Sequence, residues 1–417
     1  MELPQMIRIR QRFEKMVVND ISGEINDQVD KIDLKDKISP GDSVAVACSS
    51  RGIANYAEIV RTVVTELKKL GLKPFLFPAM GSHGSATGPG QKRLLENSGL
   101  TVEKVGAPIR SDLDVDYIAE TPEGIPICID RIANQADHIV LINRIKQHTE
   151  FDYEIESGLM KMMAIGLGKK EGAALYHKWI MVHGYAKVIV SVARQVLKTG
   201  KILFGVGVVE NGYGETAHII VADDNALEEK ERSALIVAKR LSPRLPFEDV
   251  DVLVIDEMGK DISGTGFDTK VVGRILMPLV AEEPKSPRVK RIVVCDLTQK
   301  TAGNADGIGI ADFTTQKLVD KIDVPTLYVN ALTGAEPEHA RIPMTLANDR
   351  KAIAAAIDSV GMISADKLKM MRIKNTLALQ HVDVSLAYLE TIRERKLEIL
   401  SDERSMAFDD GGNLMPF

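Results

Sequence analysis

The sequence predicts an α/β protein made of two α/β domains with mostly parallel sheets. Three observations predict it. Short apolar runs of strand length alternate with segments of helical period along the chain. Loops rich in glycine and polar residues follow those runs, as the crossovers between parallel strands require. The series breaks once, at a charged helical stretch and a linker marked by Pro243 and Pro246, which sets domains of 1–243 and 244–417.

Each element has its own signal. After an N-terminal segment that is part strand, "DSVAVAC" at 42–48 is a short apolar strand, and "NYAEIVRTVVTELKKLG" has helical period with a stop at Gly71. "KPFLFPAM" is the next strand, followed by the loop "GSHGSATGPG" and a helix from about Gln91. "DHIVLIN" at 137–143 and "KILFGVGVV" at 201–209 continue the buried-type strands of one sheet. Beyond the helix "ALEEKERSALIVAKRL", the second series runs through "DVLVIDE", "VKRIVVCDLT", "PTLYVNALTG", the helix "DRKAIAAAIDSVG" and "KMMRIKNTLAL". The helix "SLAYLETIRERKLEIL" closes it, and the tail "FDDGGNLMPF" is expected to pack back on the first domain.

Composition narrows the function classes. A net charge of −6 argues against a nucleic-acid scaffold, which would carry a basic stripe. Three separated cysteines, Cys48, Cys128 and Cys295, form no CxxC pair, which excludes a disulfide framework and the usual zinc or iron–sulfur spacings. The N-terminal stretch has no signal-peptide core, and no run of about 18 apolar residues exists. The expectation is a reduced, cytoplasmic protein with a small-molecule substrate and no membrane or nucleic-acid partner.

Ligands of open α/β sheets bind beyond the carboxyl ends of the strands. There the sequence offers Arg51, His83, and the group Arg144, Lys146 and His148. An arginine suits a carboxylate or phosphate through two parallel charge-assisted bonds. The Gly/Ser/Thr loop around His83 suits close backbone approach to an anion at the following helix N-terminus. Lys161 stands alone in "SGLMKMMAIGLG", where a lysine must snorkel or find a partner, and it is bracketed by His148 and His177. His138, His183, His218, His339 and His381 are read as structural. "GLGKKEG" departs from the dinucleotide fingerprint in spacing, and no P-loop or HExxH is present. A nicotinamide-dependent oxidoreductase remains an alternative from another class.

The succession "SSRGIANYAEIVRTVV", "PAMGSHGSATG", "INRIKQHTEF", "ESGLMKMMAIGLGKKEG" and "LYHK" resembles the nickel-pincer lactate racemase family. The resemblance continues through "DEMGKDISGTGFDT" and "GNADGIGIADFTT". It implies two α/β domains with an active-site cleft between them. It implies a nickel-pincer nucleotide, a pyridinium thioamide/thiocarboxylate mononucleotide, tethered covalently at Lys161 with nickel bound by His177. His83 and His148 match the two acid–base histidines, and Arg51 matches the arginine facing the substrate carboxylate. Ser82, Gly84, Ser85 and Thr87 are the cofactor-binding candidates of the His83 loop, and Gln299 and Lys300 are substrate-binding candidates in the second domain. The implied reaction is racemisation or epimerisation at C2 of an α-hydroxy acid by reversible hydride transfer to the cofactor. Cofactor-maturation proteins are implied partners, and a homo-oligomer is open. Cys48 stands where an acidic residue precedes the arginine by three positions, and "GKDISGTGFD" offers Lys260 and Asp268 for extra hydroxyls. A longer sugar acid, an aldonate, is therefore an alternative substrate to a lactate-like one.

Overall fold

The computed structural model describes residues 3–417, with the side chain of Ser85 outside the described set. The chain forms two compact units, Glu14–Ser242 and Met1–Phe13 with Pro243–Phe417. No helix among the described residues is long and apolar enough to cross a membrane.

The unit Glu14–Ser242 is built on a five-stranded sheet ordered Lys73–Pro78, Ser43–Cys48, His138–Arg144, Ile202–Glu210, Thr216–Asp223. The first four strands run parallel and the last returns antiparallel as a hairpin. Val44, Val46 and Cys48 share one face of their strand, and they pack with Ile59, Val60 and Val63 of the helix Tyr56–Lys69. That alternation is the period-two rule of a strand meeting the apolar stripe of a helix. Gly71, at φ +79, makes the left-handed turn that lets the chain reverse into Lys73–Pro78. The helix after the His83 loop spans Gly88–Asn97, three residues earlier than the expected start at Gln91. Thr87 accepts from the Gly90 amide and Pro89 sits in the first turn, so the cap and proline fix the start.

The segment that carries Lys161 is not one helix. A single turn, Leu159–Lys161, runs into a π-helical stretch Met162–Gly166, and Lys169–His183 then starts with Lys169 at φ +54. Small residues allow this. Gly166 lies against the Ala79 carbonyl, and Gly168 against the Ala164 carbonyl and the Tyr176 ring, so a side chain at either would separate the packed backbones. A π-turn of this kind re-aims the side chains around it.

The second unit holds an eight-stranded sheet ordered Met344–Leu346, Phe313–Thr315, Arg288–Val294, Asp249–Ile255, Met370–Ile373, His381–Ser385, Met6–Arg10, Glu398–Ile399. The first five strands are parallel and the remaining pairings antiparallel. Leu253, Ile255, Ile292 and Val294 face one core, and Val252, Val254 and Val293 face another, so both sheet faces are buried. The expected division at 243/244 differs here in one respect. The strand Met6–Arg10 belongs to this sheet, where it pairs with His381–Ser385 and Arg8 grips Asp383 at 2.7 and 2.9 Å. "PTLYVNALTG" lies in a helix, Val324–Gly334, capped by Asp323 with a proline in its first turn. The closing helix is only Leu389–Glu394, and Glu398–Ile399 is edge strand. The tail packs on its own unit: Leu414 donates to Asp349 at 2.7 Å and Arg372 to the Met415 carbonyl at 2.6 Å.

Candidate active site

Three adjacent parallel strands of the first sheet, Lys73–Pro78, Ser43–Cys48 and His138–Arg144, end on one side. Their carboxyl ends lead to His83, Arg51 and His148, so the topology gathers these three loops at one edge. The fourth parallel strand, Ile202–Glu210, ends in a residue the sequence reading missed. Glu210 accepts from Arg144 at 2.6 Å and from the Ala54 amide at 2.7 Å, tying the arginine to the loop that carries Arg51.

Arg51 is half-buried. Burial first, and the neighbouring Arg144 second, push its guanidinium down to about 10, while Glu150 opposes the shift. Two cations held near one another would be relieved by an incoming anion. Cys48, at the end of its strand, is fully buried and its thiol is pushed up to about 12 by burial, so it packs the wall rather than binding.

His148 is buried, in a loop closed by the bridge between Lys146 and Ser157. Its backbone amide donates to Glu156 at 2.5 Å, and Lys239 meets the same carboxylate at 2.5 Å. Burial raises the Glu156 carboxyl in spite of that lysine. Nδ1 of His148 accepts from the Glu150 amide at 3.1 Å, and Nε2 lies 2.7 Å from Lys161 Nζ. The Tyr185 ring stands 4.7 Å from the imidazole and 5.8 Å from Nζ, and its hydroxyl donates to the Glu156 carbonyl at 2.8 Å. Lys161 is positioned from behind by two long-range contacts. Asn143 donates to the Gly158 carbonyl at 2.7 Å, and Glu231, fully buried on the helix Leu227–Leu241, accepts from the Met160 amide at 2.8 Å. Burial pushes the Glu231 carboxyl up to about 7.

His83 is exposed and caps the 3-10 turn Gly84–Ala86. Its loop is held by Gln91, which donates to the Gly81 carbonyl at 2.9 Å, and by the buried Lys169, which reaches the Pro78 carbonyl at 2.7 Å and Gln91 at 2.6 Å. Gly81 lies against Ala173, which precedes His177 by one turn on Lys169–His183, so the His83 loop approaches the helix that carries the half-buried His177. Of the cofactor candidates, Gly84 at φ +63 abuts the Gly90–Gln91 backbone, Thr87 caps the next helix, and Ser82 accepts from the Ala86 amide through its carbonyl. The side chain of Ser85 is outside the described residues.

Gln299 and Lys300 lie exposed on the short turn Gln299–Thr301 of the other unit. Lys260 is engaged by Asp306 and the Gly264 carbonyl, and Asp268 caps Thr269–Val272, so both residues already serve their own loop. "GLGKKEG" follows a helical turn rather than a strand, which removes the context a dinucleotide fingerprint needs.

Residues 5–188 match the family model described as the lactate racemase N-terminal domain. That stretch, under half of the chain, is similar to the N-terminal domain of the lactate racemase family. The match spans Arg51, His83, His148, Lys161 and His177, and leaves Gln299 and Lys300 outside. In fold, the whole chain is similar to the lactate racemase apoprotein of Thermoanaerobacterium thermosaccharolyticum, with a TM-score of 0.57 at 12% identity over 90% of this chain and 99% of that one. No curated protein sequence matches it.

Proposed function

We propose that the protein is an isomerase that inverts the C2 centre of an α-hydroxy acid, using a nickel-pincer nucleotide tethered at Lys161. One observation carries this reading above the others. Within the family-matched segment a buried imidazole, His148, is hydrogen-bonded at 2.7 Å to the lysine that ends the apolar turn Leu159–Lys161. A structural role alone gives no reason to hold that pair together.

The residues fit such a group. Lys161 offers a primary amine for a covalent acyl link, and His177 an imidazole for nickel. Among the described residues no three His, Cys, Asp or Glu side chains are grouped for a metal, so nickel at His177 would draw its other donors from the nucleotide. When bound, the group supplies a hydride acceptor and donor for the α-hydrogen. The chain's own part is to bind and move protons. Arg51 is suited to the substrate carboxylate, with Arg144 adding positive potential behind it. His83 and His148 are suited to take and return the hydroxyl proton, one for each hand of substrate. An aldonate in place of a lactate-like acid would need further polar groups, and Gln299 and Lys300 are the exposed candidates.

Protein made in a host able to build the cofactor should show an intact-mass adduct mapping to Lys161 and about one nickel per chain. Chiral chromatography of single-enantiomer lactate, and of C2-epimeric aldonates, should then show interconversion. Tight nicotinamide binding with no adduct would replace this reading by the oxidoreductase one.

A further inference from the structure

We infer that His148 holds Lys161 as its uncharged amine in the unmodified protein, with the proton of the pair resident on His148 Nε2. The inference deepens the tethering proposal, on which it rests only for the identity of the natural electrophile. It concerns the state of the nucleophile before any group arrives.

Hydrogen-bond direction carries it. The Glu150 backbone N–H lies 3.1 Å from His148 Nδ1 and can only donate. Nδ1 is therefore an acceptor without a proton, which excludes both the imidazolium and the Nδ1–H tautomer. The competing arrangement, Nδ1–H donating to the Glu150 carboxylate, would have to span 3.9 Å, outside hydrogen-bond reach. The imidazole proton then sits on Nε2, which faces Lys161 Nζ at 2.7 Å. An ammonium has three donors and no acceptor, so it cannot receive that N–H, whereas an amine can.

The surrounding carboxylates oppose this arrangement only weakly. Glu150, Glu156 and Glu231 all act on Tyr185, whose ring faces Nζ at 5.8 Å, and all would favour an ammonium. Each is drawn elsewhere. Glu156 meets Lys239 at 2.5 Å, Glu231 accepts from the Met160 amide, and Glu150 acts on Arg51. Lys161 is half-buried, between the buried Met160 and Met162 along the chain, and partial desolvation favours the neutral form.

The consequence is chemical. An ordinary exposed lysine is an amine in roughly one molecule in two thousand at pH 7. A preformed amine attacks an acyl carbon directly: the Nζ–C bond forms, the bond to the leaving group breaks with its electron pair, and one amine proton passes to water. An acylated nitrogen is a poor acceptor, so His148 Nε2–H is released for the acid–base work proposed above. His148 is thus a positioning residue for Lys161 before it acts on substrate.

The test uses unmodified full-length chain and the N-hydroxysuccinimide ester of acetic acid, with modification followed by peptide mapping. Between pH 7 and pH 9, exposed lysines should accelerate by about a hundredfold, and Lys161 by less than about threefold. His148→Phe, which removes both ring nitrogens, should restore the steep profile. A steep profile at Lys161 in the wild type, or a flat one that survives His148→Phe, overturns the inference. Limited access lowers the rate equally at every pH and leaves the slope readable. Should no label reach Lys161, nitrogen-15 spectra of histidine-labelled chain decide: an unprotonated Nδ1 and protonated Nε2 at His148 support the inference, and two protonated nitrogens overturn it. The tethering proposal fails on a different result, absence of an adduct in a cofactor-building host, which this labelling does not touch.

Discussion

At the scale of single residues, what distinguishes this site is that two of its cations are placed against each other. Arg51 is held near Arg144, with Glu210 as the anchor of the second arginine and Glu150 as the local counter-charge. Arg51→Lys keeps the charge and loses the planar fork, so binding of a hydroxy-acid carboxylate should weaken by about fivefold to a hundredfold, about 1–3 kcal/mol, seen mainly as a raised KM. A KM within twofold of wild type would remove Arg51 from carboxylate recognition. His83→Ala and His148→Ala should each abolish turnover in loaded enzyme, and circular dichroism should show the fold retained. Normal racemisation by either variant would strike that histidine from the acid–base pair. Lys161 was legible because a lone lysine on an apolar run is costly unless something meets it. Glu210 was not, since its partner stands 66 residues away and nothing local marks a glutamate at a strand end as an anchor.

At the scale of elements, the segment holding Lys161 depends on a helix far along the chain. Leu227, Glu231, Ala234, Leu235, Ala238 and Leu241 are the buried positions of Leu227–Leu241, so Glu231 falls on the apolar stripe of that helix. That spacing was the available signal, and the neighbouring charges Glu228, Glu229, Lys230 and Arg232 hid it. The π-turn beyond Lys161 was not legible either, because only its close approach to Ala79 explains Gly166. Burial raises the Glu231 carboxyl from 4.5 in the ordinary state to about 7 in the fold. A group raised in this way contributes stability that is complete below about pH 4.5 and lost as pH rises through about 7. The linked change is on the order of 3 kcal/mol. Urea unfolding at pH 5, 6, 7 and 8 should show that fall, and Glu231→Gln should flatten it; a wild-type stability that does not decline across the window counts against a protonated Glu231. Gly158→Ala places a methyl against the Glu231 carboxylate without any backbone strain, and should cost about 1–3 kcal/mol while loosening the Lys161 turn.

At the scale of the whole molecule, the two sheets were readable in kind and the chain's route between them was not. Strands such as Ser43–Cys48 and Asp249–Ile255 announce themselves as apolar runs bounded by turns. The N-terminal "MIRIR" alternates apolar and basic residues, which fits any half-buried strand and names no partner. Pairing decided it: Met6–Arg10 lies between His381–Ser385 and Glu398–Ile399, with Ile9 fully buried and Arg8 on Asp383. The chain therefore passes between units twice, at residues 13–14 and 242–243, although only the second passage carries a proline signal. The first strand should then support the unit that does not contain Lys161. Ile9→Asp buries an unpaired carboxylate in that sheet and should destabilise it by several kcal/mol. Amide hydrogen exchange read by mass spectrometry should accelerate in peptides covering 249–255, 370–373 and 381–385. Peptides covering 43–48, 138–144 and 202–210 should keep their wild-type protection. Faster exchange in the second set, with the first unchanged, would show that the N-terminal strand serves the Lys161 unit instead.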